Sequence, residues 1–295
     1  EIEIASLFVD REGRLWVGCS KGLSRYDYEH DNFIRYTFPD DRHPRVSSVC
    51  QTPEGDLFIG TAGYGLFSLR KGSRHIRYED AFCKRHLDDF CSRIHIDRQG
   101  NLWRSSHLPT ITRFSVKNKK PVSIRDYQTI CGHPLKYIEY SEEKMLIVCL
   151  YGMMSYSYRT GELQKADFDF SLLDRNVSIR KACVDRQGNI YIVTAGCGLM
   201  VIPKGERTLQ YIGDTNTKID LNSANVVDVM EDKDQNLWAA CYNKGLIMIP
   251  KQEASFNSWS FSDQHYVTDG NVTSIVAGEG DDIWCTVQNN GIYIS

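Results

Sequence analysis

The phrase Asp10-Arg11-Glu12-Gly13-Arg14-Leu15-Trp16-Val17-Gly18 returns as Asp97-Arg98-Gln99-Gly100-Asn101-Leu102-Trp103 and as Asp185-Arg186-Gln187-Gly188-Asn189-Ile190-Tyr191. A chain that repeats one phrase folds as an array of one structural unit. Fainter copies are Pro53-Glu54-Gly55-Asp56-Leu57-Phe58-Ile59-Gly60, Asp234-Gln235-Asn236-Leu237-Trp238, Gly280-Asp281-Asp282-Ile283-Trp284 and Glu142-Glu143-Lys144-Met145-Leu146. The large apolar residue of the phrase therefore stands at Trp16, Phe58, Trp103, Leu146, Tyr191, Trp238 and Trp284, at spacings of 42 to 47 residues. Seven evenly spaced anchors leave no room for a second domain. The expectation is a single domain over 1–295, with repeat units of roughly 1–43, 44–87, 88–133, 134–174, 175–222, 223–268 and 269–295.

Each unit reads as short strands. A β-rich stretch such as Ser6-Leu7-Phe8-Val9 or Val226-Val227-Asp228-Val229 precedes an Asp-x-x-Gly turn. There Asp can hydrogen-bond the turn backbone, and Gly13, Gly55, Gly100 and Gly188 can take positive φ. The Leu-Trp-x-Gly strand follows, then a tight loop with Gly, a third strand such as Gly22-Leu23-Ser24-Arg25-Tyr26, and a more polar fourth such as Asn32-Phe33-Ile34-Arg35-Tyr36. Four antiparallel strands in a unit of this length make a propeller blade, and no helical periodicity supports the helix pair of an α-solenoid. The expected fold class is all-β: a seven-bladed β-propeller of four-stranded antiparallel blades. The seventh unit stops at Ser295 after its third strand, so the last blade is expected to lack one outer strand and the chain to be a fragment of a larger protein. Blades are covered by neighbours on both faces, which accounts for the nearly continuous apolar second and third strands. Trp16, Phe58, Trp103, Tyr191, Trp238 and Trp284 are accordingly assigned to the core.

Composition narrows the function. Lys and Arg number 35 against 38 Asp and Glu, a net charge of -3, so no basic excess exists to neutralise a phosphate backbone and nucleic acid is an unfavourable partner. No run approaches the roughly 18 apolar residues of a membrane span. None of the ten cysteines forms a C-x-x-C pair, which argues against metal knuckles and thioredoxin-like chemistry. Cys19, Cys149 and Cys241 stand three residues after an anchor, where Thr61 and Thr194 stand in other units, so that position calls for a small buried side chain. Cys83 and Cys91 are the pair placed best for a disulfide.

Enzymatic motifs are missing. There is no G-x-S-x-G elbow, no H-E-x-x-H and no phosphate loop. The acid pairs Asp40-Asp41, Asp88-Asp89 and Asp167 with Asp169 read as solvated loop residues. Asp232-x-Asp234-x-Asn236 resembles the start of a calcium loop but lacks the turn glycine and has Asn243 where the bidentate Glu belongs. His95 shares the register of Phe8 and Cys50 and reads as a core histidine. No catalytic residue, metal or cofactor is expected.

In a four-stranded blade the loops from strand two to three, and from strand four to the next blade, lie on one rim, the default binding face. Its shorter loops offer Lys21, Tyr64, His107, Tyr151, Tyr242, Asn243, Lys244, Asn289 and Asn290; its longer ones offer His43, Arg45, Arg85, His86, Arg175 and His265. Aromatic faces beside amide and cationic donors suit a sugar, particularly an acidic one.

The pattern S-x-x-x-D-x-x-G-x-L-W-x-G-T/C followed by G-L-x-x-Y resembles the two-component-regulator propeller repeat, and Ser6 through Tyr26 follows it almost position by position. The resemblance implies a non-enzymatic sensor propeller from the periplasmic part of an inner-membrane hybrid two-component system of Bacteroidetes. In such proteins propellers precede a β-sandwich, a membrane span and a histidine kinase with response-regulator and DNA-binding modules. It further implies recognition of oligosaccharides from polysaccharide breakdown and signalling through a homodimer. Two other functions fit a propeller: a protein-interaction scaffold without a small-molecule ligand, and a polysaccharide lyase or hydrolase.

Overall fold

The computed structural model describes residues 3–83, 90–117, 120–174, 177–212, 221, 224–242, 244–251, 258–259, 271–278, 282–288 and 291–294. Among them the only helical elements are the short helix Asp80–Cys83 and the 3-10 turn Pro39–Asp41. Everything else that is regular is antiparallel sheet. The chain is a seven-bladed β-propeller: seven separate sheets, each a meander whose sequence neighbours are also its sheet neighbours. Six have four strands and the last, Val272–Ala277, Ile283–Val287 and Gly291–Ile294, has three. Two compact units divide the chain. The first, Glu1–Pro134, holds the sheets over 4–36, 45–78 and 93–128; the second, Leu135–Ser295, holds the others.

The repeat phrase fixes the register. In the first strand pair of six of the blades the anchor faces one position: Phe8 opposite Trp16, Cys50 opposite Phe58, His95 opposite Trp103, Cys183 opposite Tyr191, Met230 opposite Trp238 and Val276 opposite Trp284. His95 is half-buried at that place. Gly13, Gly55, Gly100 and Gly188 all take positive φ, from 75° to 95°, which the tight turn between strands one and two demands. In the sixth blade Gln235 occupies the same place and the same left-handed conformation, φ 68°.

The turn aspartate does more than hold its own backbone. Asp97, buried, accepts the amides of Gln99 (3.0 Å) and Asn101 (2.8 Å), the Asn101 carboxamide (3.1 Å) and the indole N–H of Trp103 (2.7 Å). Asp10 does the same for the indole of Trp16 and Asp232 for that of Trp238, each across 2.7 Å. Asp185 is kept before Tyr191, whose hydroxyl it also meets. Where the anchor is a plain hydrocarbon the acid is gone: Thr52 precedes Phe58 and Tyr140 precedes Leu146 at the same distance in sequence. The seventh blade departs from the rule, with Gly278 six residues before Trp284. In the first, third and sixth blades carboxylate and indole act as one device, since a buried N–H without an acceptor is costly.

Packing runs from blade to blade. Trp16, Leu23 and Tyr36 of the first blade share a core with Val46, Val49, Ile59 and Phe67 of the second. Cys50, Phe58 and Leu66 of the second share the next with Ile94, Leu102 and Phe114 of the third. In the second unit Leu146, Val148 and Met153 meet Ala182, Ile192 and Met200, and Trp238 and Leu246 meet Val272, Ile275 and Cys285. This sharing explains why both faces of the middle strands are apolar.

The first strands carry a recurring irregularity. Register slips by one residue between Ile4 and Ser6, Val46 and Ser48, Ile179 and Lys181, Val226 and Asp228, and Val272 and Ser274. Such a bulge leaves one residue unpaired and re-aims its neighbour. The unpaired residue is a hydroxyl in two cases: Ser47 donates to the Gly60 carbonyl (3.1 Å) and Thr273 to that of Thr286 (3.4 Å). The re-aimed neighbour reaches the next blade. Ser6 donates to the Val46 carbonyl (3.1 Å), while Lys181 (3.3 Å) and Ser274 (3.1 Å) converge from opposite sides on the buried Asp228.

Candidate functional site

The loops from strand two to strand three form the expected binding rim, and their shape follows from the residue three places after each anchor. Thr61 is fully buried; its hydroxyl donates to the Gly65 carbonyl (2.7 Å), closing a turn in which Gly63 and Gly65 both have positive φ. Thr194 and Gly198 repeat this at 3.1 Å, with Gly196 and Gly198 again at positive φ. The Cys19 thiol points at the Gly22 carbonyl (3.4 Å), and Cys149 and Cys241 are buried. The small side chain thus locks the turn from below and lifts the next residues into solvent. Tyr64, Tyr151 and Tyr242 are exposed there, Tyr151 by 60%.

The predicted rim residues divide into three groups. Lys21, His43, Tyr64, His107, Tyr151, Tyr242 and Lys244 are described and solvent-accessible. Arg45 stands at the start of the strand Arg45–Gln51, its guanidinium held by the two oxygens of Glu3 (2.6 and 2.9 Å), which lowers the Glu3 carboxyl below its ordinary value. Arg85, His86, Arg175, Asn243, His265, Asn289 and Asn290 lie outside the described residues, as does the Cys83 side chain and with it the expected bridge to Cys91.

Two clusters on this rim involve residues that the repeat pattern does not single out. Arg42 lies over the Tyr64 ring, 5.9 Å from its centroid, with His43 beside it in sequence. In the third blade the His107 ring meets Phe90 edge-on at 5.4 Å, and Leu108 and Ile130 stand exposed nearby. The Thr129 amide bonds the Pro109 carbonyl (2.9 Å), which brings the Ile130 segment to the 106–109 turn. Both Arg42 and Ile130 lie in connections between blades, where no spacing marks a residue as special.

Asp232, which resembles a calcium-loop residue in sequence, spends its carboxylate on the Asp234 and Asn236 amides, the Asn236 side chain and Trp238. Asp27, Glu29 and His30 bring ligand atoms within 4.8 Å of one another on an outer turn, away from the rim loops. There the His30 ring nitrogen already bonds Asp27 (2.9 Å), and that contact holds the Asp27 carboxyl below its usual range.

The family model for the two component regulator propeller matches residues 220–243. That segment is part of one repeat of the propeller. Its turn carries Asp232, Asn236 and Trp238, the hydrogen-bonded set described above. Among solved structures, the extracellular domain of BT3049 from B. thetaiotaomicron, named as a hybrid two component system, superposes with a TM-score of 0.74 at 19% identity. The match covers 99% of this chain and 39% of that one. The extracellular domain of BT4673 from the same organism, named as a one component system, gives 0.74 at 17% identity over 99% and 38%. A catalytically inactive virginiamycin B lyase from Staphylococcus aureus gives 0.76 at 13% identity over 99% and 94%. These likenesses establish the propeller fold, and this chain spans about two fifths of the length of the BT3049 and BT4673 extracellular domains. Comparison with curated proteins gave no match. No helix among the described residues is long and apolar enough to cross a membrane.

Proposed function

We propose that this propeller is a ligand-sensing part of a two-component sensor, lying on the periplasmic side of the inner membrane, and that its rim binds an oligosaccharide released by polysaccharide breakdown. The observation that carries the reading is the Arg42–Tyr64 pair: an exposed aromatic face under a guanidinium offers a sugar ring a stacking surface and its hydroxyls or carboxylate a donor. Tyr151, Tyr242 and Lys244 supply similar groups on other blades. The fragment itself acts without catalysis; the response belongs to a histidine kinase elsewhere in a longer, homodimeric protein that also carries a further propeller and a β-sandwich. Ligand binding shifts that response only by favouring one dimer arrangement over another.

A thermal-shift screen against neutral and acidic oligosaccharides tests this, because a ligand that binds the folded state alone raises Tm. A selective rise that Tyr64→Ala or Tyr242→Ala abolishes supports rim sensing. No rise with any sugar sinks it.

The exposed patch of Phe90, Leu108 and Ile130 favours a second reading, a scaffold that presents this rim to a protein partner. Specific capture of one protein that Ile130→Asp prevents, with no sugar bound, would select it.

A further inference from the structure

At the opposite ends of the same strands, away from Lys21 and Tyr64, a cleft of about 110 Å³ opens between the first and second blades. Its floor is the edge of their shared core: Trp16, Tyr36, Leu57 and Leu69. Its walls are cationic: Arg14, Arg25, Arg70, Lys71 and Arg74 all line it, and no acidic side chain does. In a chain with a net charge of -3 this is a marked local excess.

Two of the five cations are already neutralised. Arg14 Nε donates to Asp10 (2.7 Å) and Lys71 Nζ to Glu12 (2.5 Å). Arg70 and Arg74 make no ion pair with another described residue, while Arg25 makes no direct ion pair but lies near enough to Asp27 to help hold that carboxyl low. Arg25 is the decisive one. It stands opposite Trp16 in the sheet, is half-buried, and its Nε is cut off from solvent with no hydrogen-bond acceptor. A donor cut off from solvent normally has a partner, and the guanidinium fork suits an oxyanion in bidentate geometry.

The cleft is built by the backbone as well as lined by charge. Asp56 accepts the Lys71 amide (2.9 Å) and the Ser73 amide bonds the Arg70 carbonyl (2.9 Å), so the segment carrying Arg70, Lys71 and Arg74 is folded into place beside the hairpin. Gly72, at φ 76°, takes the left-handed conformation that this turn requires. A cleft between the fourth and fifth blades, lined in part by Gly188 and Lys204 at the positions of Gly55 and Lys71, contains Glu139 and Asp185 as well as Arg186.

We propose that this cleft is an anion site, taking the carboxylate, sulfate or phosphate of a small ligand with Arg25 at its base and Arg70 and Arg74 at its mouth. The site is separate from the rim and does not rest on the rim's reading.

Titration calorimetry at constant ionic strength in chloride, with inorganic sulfate, glucuronate and neutral methyl glucoside as probes, tests it. Saturable one-to-one binding of sulfate or glucuronate but not of methyl glucoside is expected, and the tighter anion identifies the headgroup. The double variant R70Q/R74Q, which leaves the core untouched, is expected to bind at least about tenfold more weakly. Y64A/Y242A is expected to bind sulfate, which has no ring for the rim tyrosines to stack on, as the parent does, so rim and cleft fail independently. Absence of saturable binding by both anions, or undiminished binding by folded R70Q/R74Q, overturns the proposal.

Discussion

The indole of Trp103 and the carboxylate of Asp97 meet across 2.7 Å inside the third blade, both residues buried. Asp97→Ala removes the acceptor for two amides, a carboxamide and the indole at once. Leaving such donors unpaired costs about 1–3 kcal/mol each when buried, and a loss of about 3 kcal/mol overall is expected from urea unfolding. Asp97→Asn with Trp103→Phe should be non-additive by about 1 kcal/mol or more in a double-mutant cycle. Thr52→Ala, at the matching place before Phe58, should cost about 1 kcal/mol or less, since its hydroxyl serves the Asp56 amide (3.2 Å) and no indole.

Gln235 sits at φ 68°, where the better-kept turns place glycine. A side chain in the left-handed region costs about 1–2 kcal/mol, and the exposed hydrogen bond from Lys251 to the Gln235 carboxamide returns little. Gln235→Gly should therefore raise stability by about 0.5–1 kcal/mol, after the added freedom of the unfolded chain is counted. An unchanged or lower denaturant midpoint would contradict this account of the turn.

Glu12 is held at a pKa of about 2, first by its hydrogen bond from Lys71 and then by that from Gln51. A carboxylate whose folded pKa lies below its ordinary value of 4.5 adds stability that is complete above that pH and fades as pH falls toward about 2. Comparing Tm with Glu12→Gln across this window should show the parent ahead at neutral pH and the two curves merging in acid.

Burial pushes the thiols of Cys183, Cys241 and Cys285 up to about 12, and that of Cys50 further. Few thiolates form at those positions near neutral pH, and few reagents reach them. Cys19 and Cys197, both partly exposed, should react first with a maleimide near neutral pH, while these four buried thiols wait for denaturant. Peptide mapping of the labelled protein reads the order directly.

Much of the fold is legible because the anchors and turn glycines each obey a local rule. Trp16, Phe58 and Trp238 lie in the expected register, and Gly13 and Gly188 take the expected φ. The Asp–Trp bond is legible only in outline: the pattern shows an acid six residues before an indole, and only coordinates show them touching. The bulge at Ser47 leaves no signature, because hydroxyls suit ordinary strands equally well. The cationic cleft is hidden for a plainer reason. Arg25, Arg70 and Arg74 come from two blades and are brought together by inter-blade packing, which no spacing along one repeat encodes. On the rim, Tyr64 and His107 follow from loop position, whereas Arg42 and Phe90 do not, because they lie in connections of irregular length.

Asp228 has a consequence for how such an array can change. Its carboxylate receives Lys181 from one neighbour and Ser274 from the other, whereas the matching positions elsewhere hold Ser6, Ser48 or Lys181 itself. A sixth blade copied from any of these would lose the carboxylate that both neighbours use, and one copied from the fifth would set two ammonium groups side by side. The units follow one pattern yet are not exchangeable parts: each is fitted to its place in the order.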